Sequence, residues 1–189
     1  GKATSTTGRN EHSYDLSYVS KQDLDNYLSD MKIAQQYAAF NRQSIALTIL
    51  KAMKWEKHVI DSFDSPHNYI DLKHMILRKG AASAKKNEKM IVPLNMKDGS
   101  IIGVGKGNPD WNYSGPHGAG RMMSRSQARA SISLDNYQHM MRHVWTTSVS
   151  KKTLDEAPKA YKSKKQLLTN LHETMDVKEI IRPLYNFKS

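Results

Sequence analysis

An α+β fold, with mixed helices around a central, largely antiparallel sheet, is what this sequence predicts, and three observations predict it. Residues 90–94 and 100–104 are apolar runs joined by a turn containing Asp98-Gly99, the strongest hairpin signal in the chain. Residues 20–54 carry apolar side chains at mostly three- and four-residue steps, the pattern of a long amphipathic helix. Helical patterns return at 124–133, 135–145 and 164–175. No internal repeat or low-complexity linker divides the 189 residues, so a single domain or domain fragment is expected.

Taken in order, residues 1–19 are polar and aperiodic and read as a loop or an ordered tail. Ser20 followed by Asp23 has the spacing of a capping box and starts the long helix. Asn41-Arg42 interrupts its middle, either as a solvated turn or as a buried arginine beside an anionic site, and the helix can be in two pieces there. A short strand is expected at 59–63, ended by Asp64-Ser65-Pro66. Residues 77–86 form a polar segment carrying Arg78, Lys79 and Gly80, with Lys85-Lys86 a solvated face. After the hairpin, GVGKGN fits neither G-x-G-x-x-G nor a Walker A loop, so no Rossmann or P-loop site is assigned. Ser124 is a candidate helix cap. His139 and His143 share a helical face at i, i+4 spacing, but no H-E-x-x-H carboxylate accompanies them and Arg142 lies between. Surface or packed histidines are expected there, not a metal site.

A net charge of +11 and a pI near 9.7 favour a polyanionic partner without separating RNA, DNA, nucleotide and anionic membrane. No run of about 18 apolar residues suits a membrane span, and GKATSTTGRN lacks a signal-peptide core. Zero cysteines exclude disulfides and thiolate metal sites within this chain, and a cytoplasmic setting is the default expectation.

The stretch 114–125, SGPHGAGRMMSR, holds the chemistry. Glycines around His117 let backbone N–H groups face a ligand, which is how phosphate is cradled. Arg121 and Arg125 add planar cationic forks suited to phosphate oxygens, and an imidazole so placed can attack phosphorus. A glycine-rich turn whose histidine merely caps it is the plainer alternative.

Four segments, SPHNYI, LRKGA, IVPLNMKDGSI and SGPHGAGRMMSR, in this order resemble the C-terminal part of the RtcB family of RNA-splicing ligases. YLSDMKIAQQYAAFNRQ, LDEAPKAYK and a lysine one residue from the chain end extend the resemblance from about Tyr27 to the C-terminus. An RtcB-like fold is therefore implied, together with a ligase that joins RNA 2′,3′-cyclic phosphate or 3′-phosphate ends to 5′-hydroxyl ends with GTP and manganese. The resemblance makes His117 the guanylylated nucleophile and Gly118, Ala119 and Gly120 its backbone contacts. It makes His67 a manganese ligand and Asn68 a nucleotide contact. Pro93, Leu94, Asn95, Met96 and Ser100 fall where the family lines its guanine-nucleotide pocket. Lys188 matches the lysine that reads the base, and Tyr161 lies in the family's YK motif. Arg78, Lys79, Arg121 and Arg125 are implied phosphate or RNA contacts.

Departures accompany the matches. PLNM replaces a more glycine-rich family sequence, and the family's remaining manganese ligands, an aspartate, a cysteine and two histidines, belong to an amino-terminal half. Gly1-Lys2 resembles the point just after a family histidine motif, so a C-terminal fragment or one piece of a split protein is expected, inactive alone and partnered by that other half. The rival from another class is a non-catalytic basic RNA-binding module. Splicing, RNA repair and the joining of DNA ends share these motifs.

Overall fold

A computed structural model describes residues 20–188 and, as backbone alone, one antiparallel pair of two-residue strands, β1 (Thr4–Ser5) and β2 (Ser17–Tyr18). The other positions of the polar 1–19 segment lie outside the described residues. The chain divides into two compact units, residues 1–62 with 70–76, and residues 63–69 with 77–189.

In the first unit, α1 (Lys21–Met53) is one continuous helix of 33 residues, not two pieces. Ser20 precedes it with extended φ and ψ but makes no side-chain cap bond, so the expected capping box is absent. Lys54 closes it in the left-handed conformation, its N–H donating to the carbonyls of Leu50 and Lys51. Asn41 and Arg42 are exposed within this continuous helix. Gln35 anchors the helix by bonding both peptide groups of Ile70, donating to its carbonyl at 3.2 Å and accepting its N–H at 2.6 Å. At 59–63 no strand forms among the described residues, where one was expected.

Two three-stranded sheets, one within the second unit and one mainly within it, form where one central sheet was expected. β3 (His67–Asp71), β4 (Ile76–Ser83) and β7 (Ser114–Pro116) form one, in the order β3-β4-β7. β5 (Lys89–Asn95), β6 (Gly99–Gly105) and β9 (Met175–Ile181) form the other, antiparallel throughout. The hairpin expected at 90–104 is β5–β6, with Ile91 opposite Ile102 and Val92 opposite Ile101. Period-two alternation buries Met90, Val92 and Leu94 on one face of β5, as a half-buried strand requires.

Helices close the unit. Ser124 caps α2 (Arg125–Ser131) through a complete capping box with Gln127. α3 (Leu134–Met141) begins at Ser133 and ends before His143, so the two histidines do not share a helical face. Arg142 instead donates to His143 Nε2 at 3.0 Å and lies 3.5 Å from His139 Nε2, a cation where a metal would sit. α4 (Lys164–Leu171) stops short of the expected 175, because Met175 opens β9. β8 (Trp145–Thr146) pairs in parallel with β10 (Tyr185–Asn186), tying down the C-terminal tail.

Two apolar clusters form. One joins the sheet residues Met90, Val92, Leu94 and Ile101 to Leu167 and Leu171 of α4, with Ala119 at its edge. The other gathers Met96, Tyr137, Met141, Ala157 and Ala160. Tyr161 packs against both.

The GVGKGN glycines serve packing. A Cβ on Gly105 would stand 2.3 Å from the Ala84 backbone carbon and 2.4 Å from the Lys85 carbonyl, neither of which can yield. Gly105→Ala is therefore expected to destabilise the fold by about 3 kcal/mol or more, lowering the thermal midpoint by roughly 6–12 °C. Circular dichroism melting checks this, and an unchanged midpoint would show that β6 has room the geometry denies.

Candidate active site

Strand β7 delivers the chain to a glycine loop, His117 to Gly120, at the wall of an open cleft of about 650 Å³. Its other walls come from the β5–β6 turn, from Glu156 and Tyr161, and from the C-terminal tail. The cleft lies wholly within the second unit.

Gly80 holds the two histidine-bearing segments in place. Its N–H donates to Asn68 Oδ1 at 2.6 Å, and its carbonyl accepts from His117 Nδ1 at 2.5 Å. Gly80 has φ +69°, the left-handed region, which is what turns its two peptide groups toward two different segments. A carbonyl oxygen can only accept, so the proton of neutral His117 resides on Nδ1 and Nε2 keeps its lone pair. The ring of His117 is exposed and stacks on that of His67, centroids 5.2 Å apart. Beyond it, the Ala119 N–H donates to the Pro93 carbonyl at 2.9 Å, fastening the glycine loop to β5.

A second group of contacts centres on Glu156, whose side chain is 15% exposed. Tyr161 donates its hydroxyl to Glu156 Oε2 at 2.7 Å, and the Lys188 ammonium stands 3.2 Å from the same oxygen. Arg125 NH1 bonds Asp155 Oδ2 at 2.7 Å and reaches Glu156 Oε1 at 3.3 Å. Arg121 lies over the Tyr161 ring at 4.9 Å. Ser148 Oγ clamps the Lys188 backbone, accepting its N–H at 2.7 Å and donating to its carbonyl at 2.9 Å. Asn186 donates to the Met96 carbonyl at 2.5 Å, so an apparently loose end is held at several points.

Burial alone would push the Glu156 carboxyl up, but the Tyr161 hydroxyl and the Lys188 and Arg125 cations outweigh it and hold the group below its ordinary value of 4.5. Asp155 is also lowered, its burial outweighed by Arg129 and Arg125. Burial and the bond to Glu156 push Tyr161 up to about 12, so it stays a neutral donor. The signs give a stability profile. Glu156 contributes fully above its ordinary 4.5 and loses that contribution as pH falls through its depressed value. Tyr161 contributes below 10 and loses its share as pH rises toward about 12. Wild type should thus melt well above Glu156→Gln near neutrality, and the gap should close as pH drops below 4.5. Melting curves across pH test this; a gap that widens in acid has the wrong sign.

His67, Pro93, Leu94, Asn95, Met96, Ser100, His117, Gly118, Ala119, Gly120, Tyr161 and Lys188 all line the one cleft. Asn68 stands behind it on Gly80. The arginine expectations need correction. Arg78 is 2% exposed, and its guanidinium bonds Ser114 Oγ, Tyr69 OH and the carbonyls of Asn112 and Tyr113, bracing β7 from inside. Arg121 lines the cleft, but its three nitrogens bond Met123 O, Tyr161 OH and Asp155 O. Arg125 lines the cleft and is 67% exposed, and among the described residues its hydrogen bonds are made by NH1. Lys79 is exposed beside Gly80 but does not line the cleft. Gly80, Glu156 and Arg182 were not anticipated as site residues; Gly80 lies in β4, which reads as a polar segment in the sequence, so no strand pattern marked its glycine as a close backbone approach.

This arrangement, an accessible imidazole nitrogen at a glycine loop in a cleft ending in Lys188, agrees with a comparison of sequences. Residues 2–189 match the family described as tRNA-splicing ligase RtcB. The chain belongs to the RtcB family. It is 30% identical over 167 residues to RNA-splicing ligase RtcB of Escherichia coli (strain K12), which covers 79% of this chain and 41% of that protein. It is 28% identical over 191 residues to tRNA-splicing ligase RtcB of Nanoarchaeum equitans, covering 82% and 40%. The tRNA-splicing ligase RtcB of Aeropyrum pernix is 27% identical over 175 residues, covering 74% and 36%. The chain therefore spans about two fifths of the length of the curated RtcB relatives it matches. No described helix is long and apolar enough to cross a membrane.

Proposed function

We propose that this chain carries the nucleotide-binding cleft and the nucleophile of a GTP-dependent RNA ligase of the RtcB kind, used in RNA splicing or repair in the cytoplasm. The supporting observation is the bond from His117 Nδ1 to the Gly80 carbonyl, which leaves Nε2 as the nucleophilic nitrogen. In this reading the Nε2 lone pair attacks the α-phosphorus of GTP, a P–N bond forms, and the bond to pyrophosphate breaks with its electron pair on the leaving oxygen. The guanylate then passes to an RNA 3′-phosphate, and a 5′-hydroxyl displaces GMP to form the phosphodiester. A 2′,3′-cyclic phosphate end is first hydrolysed to the 3′-phosphate. Lys188, fixed by Ser148 and Glu156, meets the base, and Arg125 has guanidinium donors to turn toward phosphate oxygens.

Manganese does not fit the described residues alone. Among them no group of three or more His, Cys, Asp or Glu stands ready for a metal, and His67 offers a single nitrogen, whereas such a cation needs several N and O ligands. We propose that its remaining ligands come from polypeptide other than the described residues, namely the family's amino-terminal half.

The test supplies that half from a relative, with Mn²⁺, GTP and RNA pieces ending in 3′-phosphate and 5′-hydroxyl. Ligation is expected in the mixture and not with residues 1–189 alone. RNA binding with no ligation in either case would favour a non-catalytic RNA-binding module.

A further inference from the structure

We propose that Lys159, Lys162, Lys164 and Lys165 form a track for the phosphates of a single RNA strand leading to His117, which rests on the reading of His117 as a ligase nucleophile. Residues 157–172 contain these four lysines and no Asp or Glu. Four other cations near the cleft each have a carboxylate partner: Arg125 and Arg129 on Asp155, Arg121 and Lys188 on Glu156. Among the described residues none of the four lysines has a carboxylate partner.

Their backbone is laced to the nucleophile's loop. Lys162 donates its N–H to the Gly120 carbonyl at 3.0 Å, and Met122 donates to the Ala160 carbonyl at 2.8 Å. The end of the Lys162 side chain lies over Gly120, with Nζ 3.9 Å from where a Cβ would stand. Lys164 and Lys165 occupy the first turn of α4, which has no acidic residue. Cations there oppose the helix dipole and repel each other, so local folding gains nothing from them. An anion lying across the helix start relieves both penalties. Four lysines without a described carboxylate partner within seven residues suit a chain of phosphates, to which each contributes by releasing a counterion.

The test uses the full chain and a single-stranded RNA ending in 3′-phosphate, with affinity measured over a range of salt and without nucleotide. Replacing Lys159, Lys164 and Lys165 together with Gln should lower the slope of log affinity against log salt by about 2, at about 0.7 per phosphate contact on a single strand. Replacing Lys32, Lys51 and Lys57 of the first unit, an equal loss of charge, should change the slope far less. An unchanged slope in the first variant, or an equal loss in the control, overturns the track. GMP affinity, measured in parallel, should be unaffected by the first variant; a parallel fall assigns the lysines to nucleotide and also overturns it. If wild type binds no GMP while the slope behaves as stated, the reading of His117 fails and the RNA track survives.

Discussion

His117→Ala is expected to abolish transfer of label from α-labelled GTP to the protein, by about 10³-fold or more, in the mixture supplied with Mn²⁺ and the family's amino-terminal half. The size follows from the side chain's role. Among the described residues, no other imidazole at the cleft is both exposed and held by a backbone carbonyl in the tautomer that leaves its second nitrogen unprotonated; the His67 ring stacks on His117 without a described acceptor of its own. Nucleotide affinity should change much less, because the loop backbone, the β5–β6 turn and Lys188 remain. A filter assay for retained label and a separate GMP titration separate these effects. Label persisting in His117→Ala would assign the nucleophile elsewhere.

Glu156→Ala should be the most damaging substitution at the site that leaves the reacting nitrogen untouched. It strands the Tyr161 hydroxyl, releases the Lys188 ammonium and removes one carboxylate from Arg121 and Arg125. Losing a mostly buried acceptor shared by several donors costs about 2–3 kcal/mol after allowing for the exposure of Lys188, or roughly 4–12 °C in thermal midpoint. GMP affinity should fall with it, since the tail that forms a cleft wall loses its ionic anchor. Glu156→Gln keeps an acceptor for Tyr161 and should recover about half of the lost stability without restoring the Lys188 ion pair. Melting curves and GMP titration of both variants give the comparison; two variants that melt with wild type would remove Glu156 from this account.

The legible parts of the fold were those set by local chemistry. Asp98-Gly99 with flanking alternation announced β5–β6, and Ser124 announced α2, because turn and cap preferences act within a few residues. β4 was hidden as a polar segment, since Arg78 is buried by hydrogen bonds to Ser114 and residues 112–113 that no neighbouring sequence shows. β9 was hidden because it pairs with β6 while most of its side chains face solvent, so no apolar period marks it. Ser20 failed as a capping box although its spacing was right, whereas Gln35, to which the sequence assigned no role, anchors α1 to Ile70. The site divides the same way. Residue types around His117 pointed to phosphate chemistry by themselves, and the family resemblance added the cleft's other walls. Gly80 and Glu156 escaped because their roles lie in hydrogen bonds and ion pairs formed only on folding. For Arg78 and Arg121, charge suggested a ligand where folding supplied protein oxygens.

Mapping the covalent adduct decides whether His117 Nε2 is the atom that takes the guanylate. The chain is loaded with GTP in the same mixture, quenched in alkali to preserve a phosphoramidate, digested and analysed by mass spectrometry with fragmentation. A guanylate mass is expected on the peptide containing SGPHGAGR, localised to His117. An adduct on Lys188, on a lysine of 159–165, or on His67 would contradict it.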